Sequence, residues 1–360
     1  MKQKGFLEVY DLTLKTIGPL FIGDGRTILK KCYLYDSRSG SVSIFDEEKL
    51  FALLAQRNLI DQYEQFMLGR MNNLYRFLTQ DCHLQERDWK PALRYTLKVG
   101  AALDEEHSLK DIHCFVRNAA GQVYLPGSSV KGALRTELLH HMIRQEGEHD
   151  QLEPSRRERF GSIPESRYLH TLRLVKNRPD DMVNSLMRGL QVSDSLPVPD
   201  SQMILASKMD CRPDGSLSKP NVCRESIRPD TEIHLKLTLD QSILQNAVTR
   251  ESLTAAIDAF DEYYWDTYLR HFEEPARTAE VYYENCLFLG GGSGFFSKSL
   301  VYPYLGEKKG LKLTAEMMTQ MFRKHYHDRD EAQGISPHTV KYTEYGSKLY
   351  PMGMCGVEIQ

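Results

Sequence analysis

The stretch Tyr124-Leu125-Pro126-Gly127-Ser128-Ser129-Val130-Lys131-Gly132-Ala133-Leu134-Arg135-Thr136-Glu137-Leu138-Leu139 constrains the fold more than any other. Pro126-Gly127 ends the strand that precedes it, because proline lacks an amide donor and glycine frees the backbone. Ser128 or Ser129 can then cap a helix whose Val130, Leu134 and Leu138 recur on one side. The first turn of such a helix presents unpaired N–H groups and the positive end of the dipole, both of which attract phosphate. Lys131 and Arg135, four residues apart, share a side and add two cations, and Gly132 leaves room for a backbone or sugar. Gly127, Ser128, Ser129, Lys131, Gly132 and Arg135 are thus a candidate phosphate site, although a capped helix with solvated cations fits the same pattern. A nucleotide-binding P-loop does not fit, since Lys131 precedes Gly132 and Ala133 follows it.

The flanking sequence supplies strands and helices in mixed order. Tyr10, Leu12 and Leu14 alternate with polar residues before a glycine-bearing loop, Gly23-Asp24-Gly25. Residues 28 to 35 and 41 to 45 flank a hairpin connection at 36 to 40, and Asp46 can cap a helix running through Leu50, Leu53 and Leu54. Residues 59 to 80 read as helical, 111 to 117 and 121 to 125 as two short strands, and 128 to 144 as a helix. Further on, 189 to 193, 203 to 209 and 232 to 239 read as strands, the last with Ile233, Leu235, Leu237 and Leu239 on one face. Residues 242 to 272 read as helical. This order predicts an α+β fold of ferredoxin-like (RRM-like) units, with helices on one face of an antiparallel sheet and the other face free for a ligand. The expected divisions are an N-terminal RRM-like domain at 1–145 with a helical insertion at about 59–90, a basic insertion or crossing at 146–185, and a C-terminal RRM-like domain at 186–360. The loop from 207 to 229, with three prolines and a glycine between its ends, is long enough to be a functional projection.

Charge limits the partners. A net charge of -3 argues against a protein that coats nucleic acid by bulk positive charge, so any RNA contact must be local. Seven Lys or Arg residues do cluster between Ser155 and Arg178, a pattern that a solvated loop also explains. Seven scattered cysteines without a Cys-x-x-Cys pair signal neither a disulfide framework nor zinc. His325 and His327 read as a solvated helix end rather than metal ligands, and no metal or cofactor is expected. No apolar run is long enough to span a membrane and the start lacks a signal-peptide core, so the expected location is cytoplasmic, without membrane contact.

The string from Tyr124 to Leu139 resembles the signature of the RAMP superfamily of CRISPR-associated proteins, a strand, a Pro-Gly-Ser-Ser-x-Lys-Gly-x-x-Arg turn and a helix. Leu289-Gly290-Gly291-Gly292-Ser293-Gly294-Phe295-Phe296-Ser297-Lys298-Ser299 resembles the glycine-rich loop of the same superfamily. In that loop bare N–H groups approach phosphates and an aromatic ring can stack on a base. Residues 16 to 25, 189 to 195 and 350 to 355 narrow the resemblance to subunits of type III-A CRISPR (Csm) complexes. The resemblance implies two RRM-like domains, binding of the 3′ part of a guide RNA (crRNA) at the end of the complex, and a role in guide maturation. The implied partners are crRNA, other complex subunits, target RNA and a recruited host nuclease. The implied RNA contacts are the six residues of the helix start together with Gly23, Arg26, Gly290, Gly291, Gly292, Gly294, Phe295 and Lys298.

The rival reading is a ribonuclease. Asp24 is the one acidic residue of its glycine loop, and general acid–base cleavage needs a second positioned group that the sequence does not show. Asp24 is therefore expected to shape the turn, and His140-His141, two to three turns into the helix, to be structural or at the surface.

Overall fold

Alternation in Glu232–Asp240 produces the most regular element of the protein. In the computed structural model, which describes residues 6–99, 110–220, 222–280 and 284–360, this strand turns Ile233, Leu235, Leu237 and Leu239 into the core. Its exposed side carries Glu232, His234 and Lys236. Numbered along the chain it is β12, paired antiparallel with β1 (Leu7–Thr16) from Leu7↔Asp240 to Lys15↔Glu232. With β7 (Leu190–Val192), β13 (Cys286–Phe288) and β16 (Met354–Ile359) they form a sheet in the order β13-β16-β1-β12-β7.

Helix α5 (Gly127–Glu146) lies between β1 and β7 in sequence, and α8 (Arg250–Thr267) lies between β12 and β16. The two helices pack on each other. Strands β16, β1, β12 and β7 therefore stand side by side as the fourth, first, third and second strands of a βαββαβ unit, with β13 added at the outer edge. Leu12, Leu14, Leu235, Leu237, Val130, Leu134 and Leu138 share its core, and each such buried side chain contributes about 1.5–3 kcal/mol.

A second sheet runs β2 (Gly23–Ile28), β6 (Ile112–Phe115), β11 (Cys223–Ile227), β8 (Met203–Ser207), β5 (Leu93–Lys98), β4 (Ser41–Phe45), β3 (Tyr33–Asp36). The hairpin at 36 to 40 forms, and the Asp46 carboxylate accepts the Lys49 N–H to start α1 (Glu47–Gln56). With α2 (Ile60–Leu68), α3 (Leu74–Arg76) and α4 (Glu86–Trp89), α1 encloses a separate small core that includes Leu54, Phe66, Phe77 and Trp89. The third sheet is β10 (Leu217–Ser218), β9 (Met209–Cys211), β14 (Val340–Tyr345) and β15 (Lys348–Pro351). Short helices α6 (Glu165–Leu169), α7 (Gln241–Leu244), α9 (Val301–Leu305) and α11 (Asp330–Gln333) and the longer α10 (Glu307–Met321) complete the chain.

The fold is α+β, but its sheets cut across the expected divisions at 145 and 185. β1 finds its partners at 232–240 and 354–359, so the βαββαβ order is assembled from the whole chain and occurs in one sheet of the described residues. Strand pairing depends on long-range register, which local patterning does not encode. Three smaller corrections follow. Gly23-Asp24-Gly25 belongs to strand β2, bulged against β6 between Gly23 and Thr27. Residues 121 to 125 supply only isolated bridges, Arg117↔Val123 and Val123↔Val198. The expected loop from 207 to 229 holds β9, β10 and β11. No helix among the described residues is long and apolar enough to cross a membrane.

Candidate nucleic-acid interface

The start of α5 departs from the expected cap. Pro126 is the N-cap residue and no side chain of the helix caps it, because a tertiary partner has taken the role: Gly127 N donates to Asp194 Oδ1 at 2.9 Å. A Cβ on Gly127 would stand 2.3 Å from the carbonyl oxygens of Val192 and Ser193. Glycine here lets the helix seat on the β7 segment, and a carboxylate already occupies part of the positive helix end. Gly132 is open, with nothing within 4 Å of a Cβ there, and Ser128 is exposed while Ser129 is half-buried. Lys131 is half-buried, and burial lowers its pKa. Arg135 is lowered for the same reason and pairs with Glu165 at the start of α6. Lys131, Gly132 and Arg135 remain accessible, whereas the Gly127 amide does not.

The glycine-rich loop is built against the segment before β2. Gly290, Gly292 and Gly294 have φ of +69°, +108° and +91°, conformations that favour glycine. A Cβ on Gly290 would lie 2.0 Å from the Phe21 carbonyl oxygen, which also accepts the Gly291 N–H at 2.8 Å. Phe21 in turn packs beneath Gly23, where a Cβ would meet its ring at 2.8 Å. The structure thus brings Gly23 and Gly290 to Gly292 together, and it directs the Gly291 amide at protein rather than at solvent. Gly294 is open, exposed Lys298 donates to the Gly290 carbonyl, and Phe295 is half-buried. Its neighbour Phe296 is buried against Tyr268 and Tyr302, with ring centroids 4.4 and 4.9 Å away. Arg26 is held by Asp24, through N to Oδ1 at 2.8 Å and Nε to Oδ2 at 2.6 Å. Asp24 therefore shapes its bulge.

Sequence reasoning missed the strongest electrostatic feature beside this loop. Arg224, on β11, stands over the Phe21 ring at 5.0 Å, and its Nη1 would be 3.2 Å from a Cβ on Gly292. Its Nε and Nη1 are buried without a hydrogen-bond partner among the described residues, and burial lowers its pKa with only partial relief from Asp210. Asp210 and Lys341 face each other across β9 and β14 at 2.8 Å, and Lys208 reaches the same carboxylate at 3.2 Å. Burial works to raise the Asp210 pKa, but Lys341 and Lys208 outweigh it and hold it low. Burial, with Lys208 and Arg224 beside it, lowers Lys341; burial and Arg224 do the same to Lys298. Lys341, Lys208 and Arg224 thus gather about one carboxylate, with Lys298 next to Arg224, where the second and third sheets meet the glycine loop. Unpaired buried guanidinium donors are costly, and an anion satisfies them. Arg224 and Lys341, single cations on β strands, gave no sequence signal, and only the fold gathers them beside Lys298.

The exposed face of the first sheet is a poor RNA platform. Asp11 pairs with Lys236 at 2.5 Å, Lys15 with Asp230 at 2.8 Å, and Thr13 Oγ1 lies 3.3 Å from His234 Nδ1. Its lysines are already paired with carboxylates, and no Phe, Tyr or Trp stands at these cross-strand positions for a base to stack on. In the basic segment, Arg167 pairs with Glu146, while Arg173 and Lys176 are exposed around a cavity of about 720 Å³. His140 is buried against Phe260 and Tyr263, a structural position. The reading of His327 as a solvated helix end is corrected: it is buried beside Asp330 and His338, because the chain turns back after α11.

Comparison with known proteins agrees with this architecture. A curated protein of Enterococcus italicus, "CRISPR system Cms protein Csm5", is 25% identical over 98% of both chains. Proteins of the same name from Streptococcus thermophilus and Mycobacterium tuberculosis are 27% and 24% identical, over 82% and 99% of this chain and 81% and 98% of theirs. Among solved structures, a chain of a Csm-crRNA-target RNA ternary complex of a type III-A CRISPR-Cas system superimposes with a TM-score of 0.69 at 17% identity, covering 97% of this chain and 100% of that one. Csm5 of T. onnurineus gives 0.60 at 18% identity, covering 96% and 99%. The sequence model of the RAMP superfamily matches residues 13–297, and the chain therefore belongs to the RAMP superfamily.

Proposed function

We propose that this protein is a crRNA-binding, non-catalytic subunit of a type III-A Csm complex that caps the end holding the 3′ part of the guide and takes part in guide maturation. The observation that carries the reading is the buried Arg224 guanidinium, whose Nε and Nη1 have no hydrogen-bond partner among the described residues, beside the glycine-rich loop. Such donors fit an RNA phosphate. The names of the relatives and the full-length superposition on a chain of a Csm-crRNA-target RNA complex support the assignment to that assembly.

Within this reading Gly294, Lys298 and Arg224 hold guide backbone, Phe295 stacks on a base, and Lys131, Gly132 and Arg135 hold a further part of the guide. Target RNA and the other subunits are reached through the assembled complex, and a recruited host nuclease trims the guide. Asp24 is engaged twice by Arg26, which supports a shaping role over a nucleolytic one. The test is to isolate the tagged chain from cells carrying its neighbouring CRISPR genes, identify bound RNA and proteins, and incubate the pure chain with guide and target RNA with and without magnesium. Guide RNA and Csm subunits should co-purify and both RNAs should stay intact. Isolation without RNA, or cleavage that disappears in Asp24→Ala, would overturn the proposal.

A further inference from the structure

After α10 the chain makes a turn at His327–Arg329, passes through α11 and returns as β14. Asp330, the first residue of α11, is 0% exposed. His327 Nδ1 lies 2.9 Å from its Oδ2 and His338 Nδ1 2.5 Å from its Oδ1, and the two imidazole centroids are 4.5 Å apart. One donor atom from each residue falls within 4.8 Å of the other two. Both histidines are largely enclosed, at 6% and 13% of side-chain exposure.

We propose that His327, Asp330 and His338 bind one zinc ion. Two imidazole nitrogens and a carboxylate oxygen suit Zn²⁺, whose ligands stand about 2.0–2.2 Å from the metal. Three such atoms already lie within 4.8 Å of one another. The surroundings favour an ion over a bare carboxylate. The Tyr302 and Tyr268 hydroxyls donate to the carbonyls of Ser336 and of Pro337 and Thr339, so neither is spent on Asp330. Ser336 Oγ alone among these neighbours reaches it, at 2.6 Å from Oδ2, and orients the carboxylate as an outer partner of a metal site does. A divalent cation compensates the buried anion while leaving both imidazoles neutral. Three protein ligands leave the fourth position to water. The ion would pin the segment after α10 onto the aromatic cluster of Tyr268, Phe296 and Tyr302.

The full chain, stripped with chelator and confirmed folded by circular dichroism, is titrated with Co²⁺ and Zn²⁺. Tetrahedral Co²⁺ absorption bands should appear, Zn²⁺ should displace them at one ion per chain, and Zn²⁺ should raise the melting temperature of stripped protein. His338→Gln can still donate to Asp330 through its amide but is a poor zinc ligand, so it should keep the apo melting temperature and lose the metal-dependent increase. Wild-type protein that stays folded, gives no Co²⁺ bands and takes up no zinc shows a hydrogen-bonded cluster only and overturns the proposal. Full zinc stoichiometry in His338→Gln overturns the ligand assignment.

Discussion

Replacing Arg224 with methionine separates an RNA contact from a structural one, because the two effects have opposite signs. Methionine keeps the apolar stem of the side chain and removes the cation. Two donors, Nε and Nη1, lack hydrogen-bond partners among the described residues, so a phosphate held by Arg224 would receive charge-assisted bonds from both. A lost interaction of this kind costs about 1.5–3 kcal/mol, which converts to roughly 10-fold to 150-fold weaker binding. On stability the terms oppose each other. The variant loses the stacking on Phe21, worth about 0.5–2 kcal/mol, and is relieved of a guanidinium whose unpaired donors are desolvated. The melting temperature should hold or rise. Fluorescence anisotropy with a labelled single-stranded RNA at fixed salt measures the first quantity and thermal denaturation the second, with Arg57→Met, an exposed arginine of the helical insertion, as control. RNA affinity within twofold of wild type, or a melting temperature lowered by many degrees, would refute the reasoning.

Lys131→Ala with Arg135→Ala should weaken RNA binding at least tenfold with little change in thermal unfolding, since both side chains leave the packed Val130, Leu134 and Leu138 side of α5; unchanged affinity would remove this helix from the site. Titrating affinity against salt should give a shallow slope, about 0.7 per phosphate neutralised, and a slope implying ten or more contacts would contradict local binding. Asp261, buried between α8 and β13, has its pKa pushed up to about 6, by burial first and by Asp258 second. The folded state therefore holds a proton that the unfolded chain has lost between about pH 4 and pH 6, so wild-type stability falls as pH rises through that window, by about 3 kcal/mol in all. Asp261→Asn should abolish this component and gain on wild type from pH 4 to pH 6.5 in chemical denaturation, and a constant difference would show that the carboxyl is not perturbed.

What the sequence revealed, and what it hid, divides by the range of the interactions. The β12 alternation, the hairpin at 36 to 40 and the Asp46 cap are local, and they were legible residue by residue. The glycine-rich loop was legible because positive φ values, as at Gly290, Gly292 and Gly294, favour glycine. Its partner Phe21, more than 260 positions earlier, was not, and neither was Asp194 at the start of α5, because a tertiary cap leaves no trace beside the helix it caps. The same holds for Arg224 on β11 and Lys341 on β14, ordinary strand residues until the second and third sheets meet. His338 shows the effect at shorter range: it lies eleven positions after His327, and only the turn through α11 brings both to Asp330.

Electrostatics decides between the two surfaces that could carry RNA. On the first sheet Lys236 is paired with Asp11 and Lys15 with Asp230, and Glu232 adds a further carboxylate, so an approaching phosphate would have to break exposed pairs against an excess of negative charge. Its other face is closed by α5 and α8, between which lie Glu137, its pKa pushed up by burial, and His140, lowered to about 3 by burial. At the sheet junction the balance is reversed, with Arg224, Lys298, Lys341 and Lys208 set against Asp210 in a partly buried setting where each charge counts for more than in water. On the proposed reading, a chain of net charge -3 holds RNA at this one place, which suits a subunit that engages one stretch of a guide and leaves the rest to its neighbours.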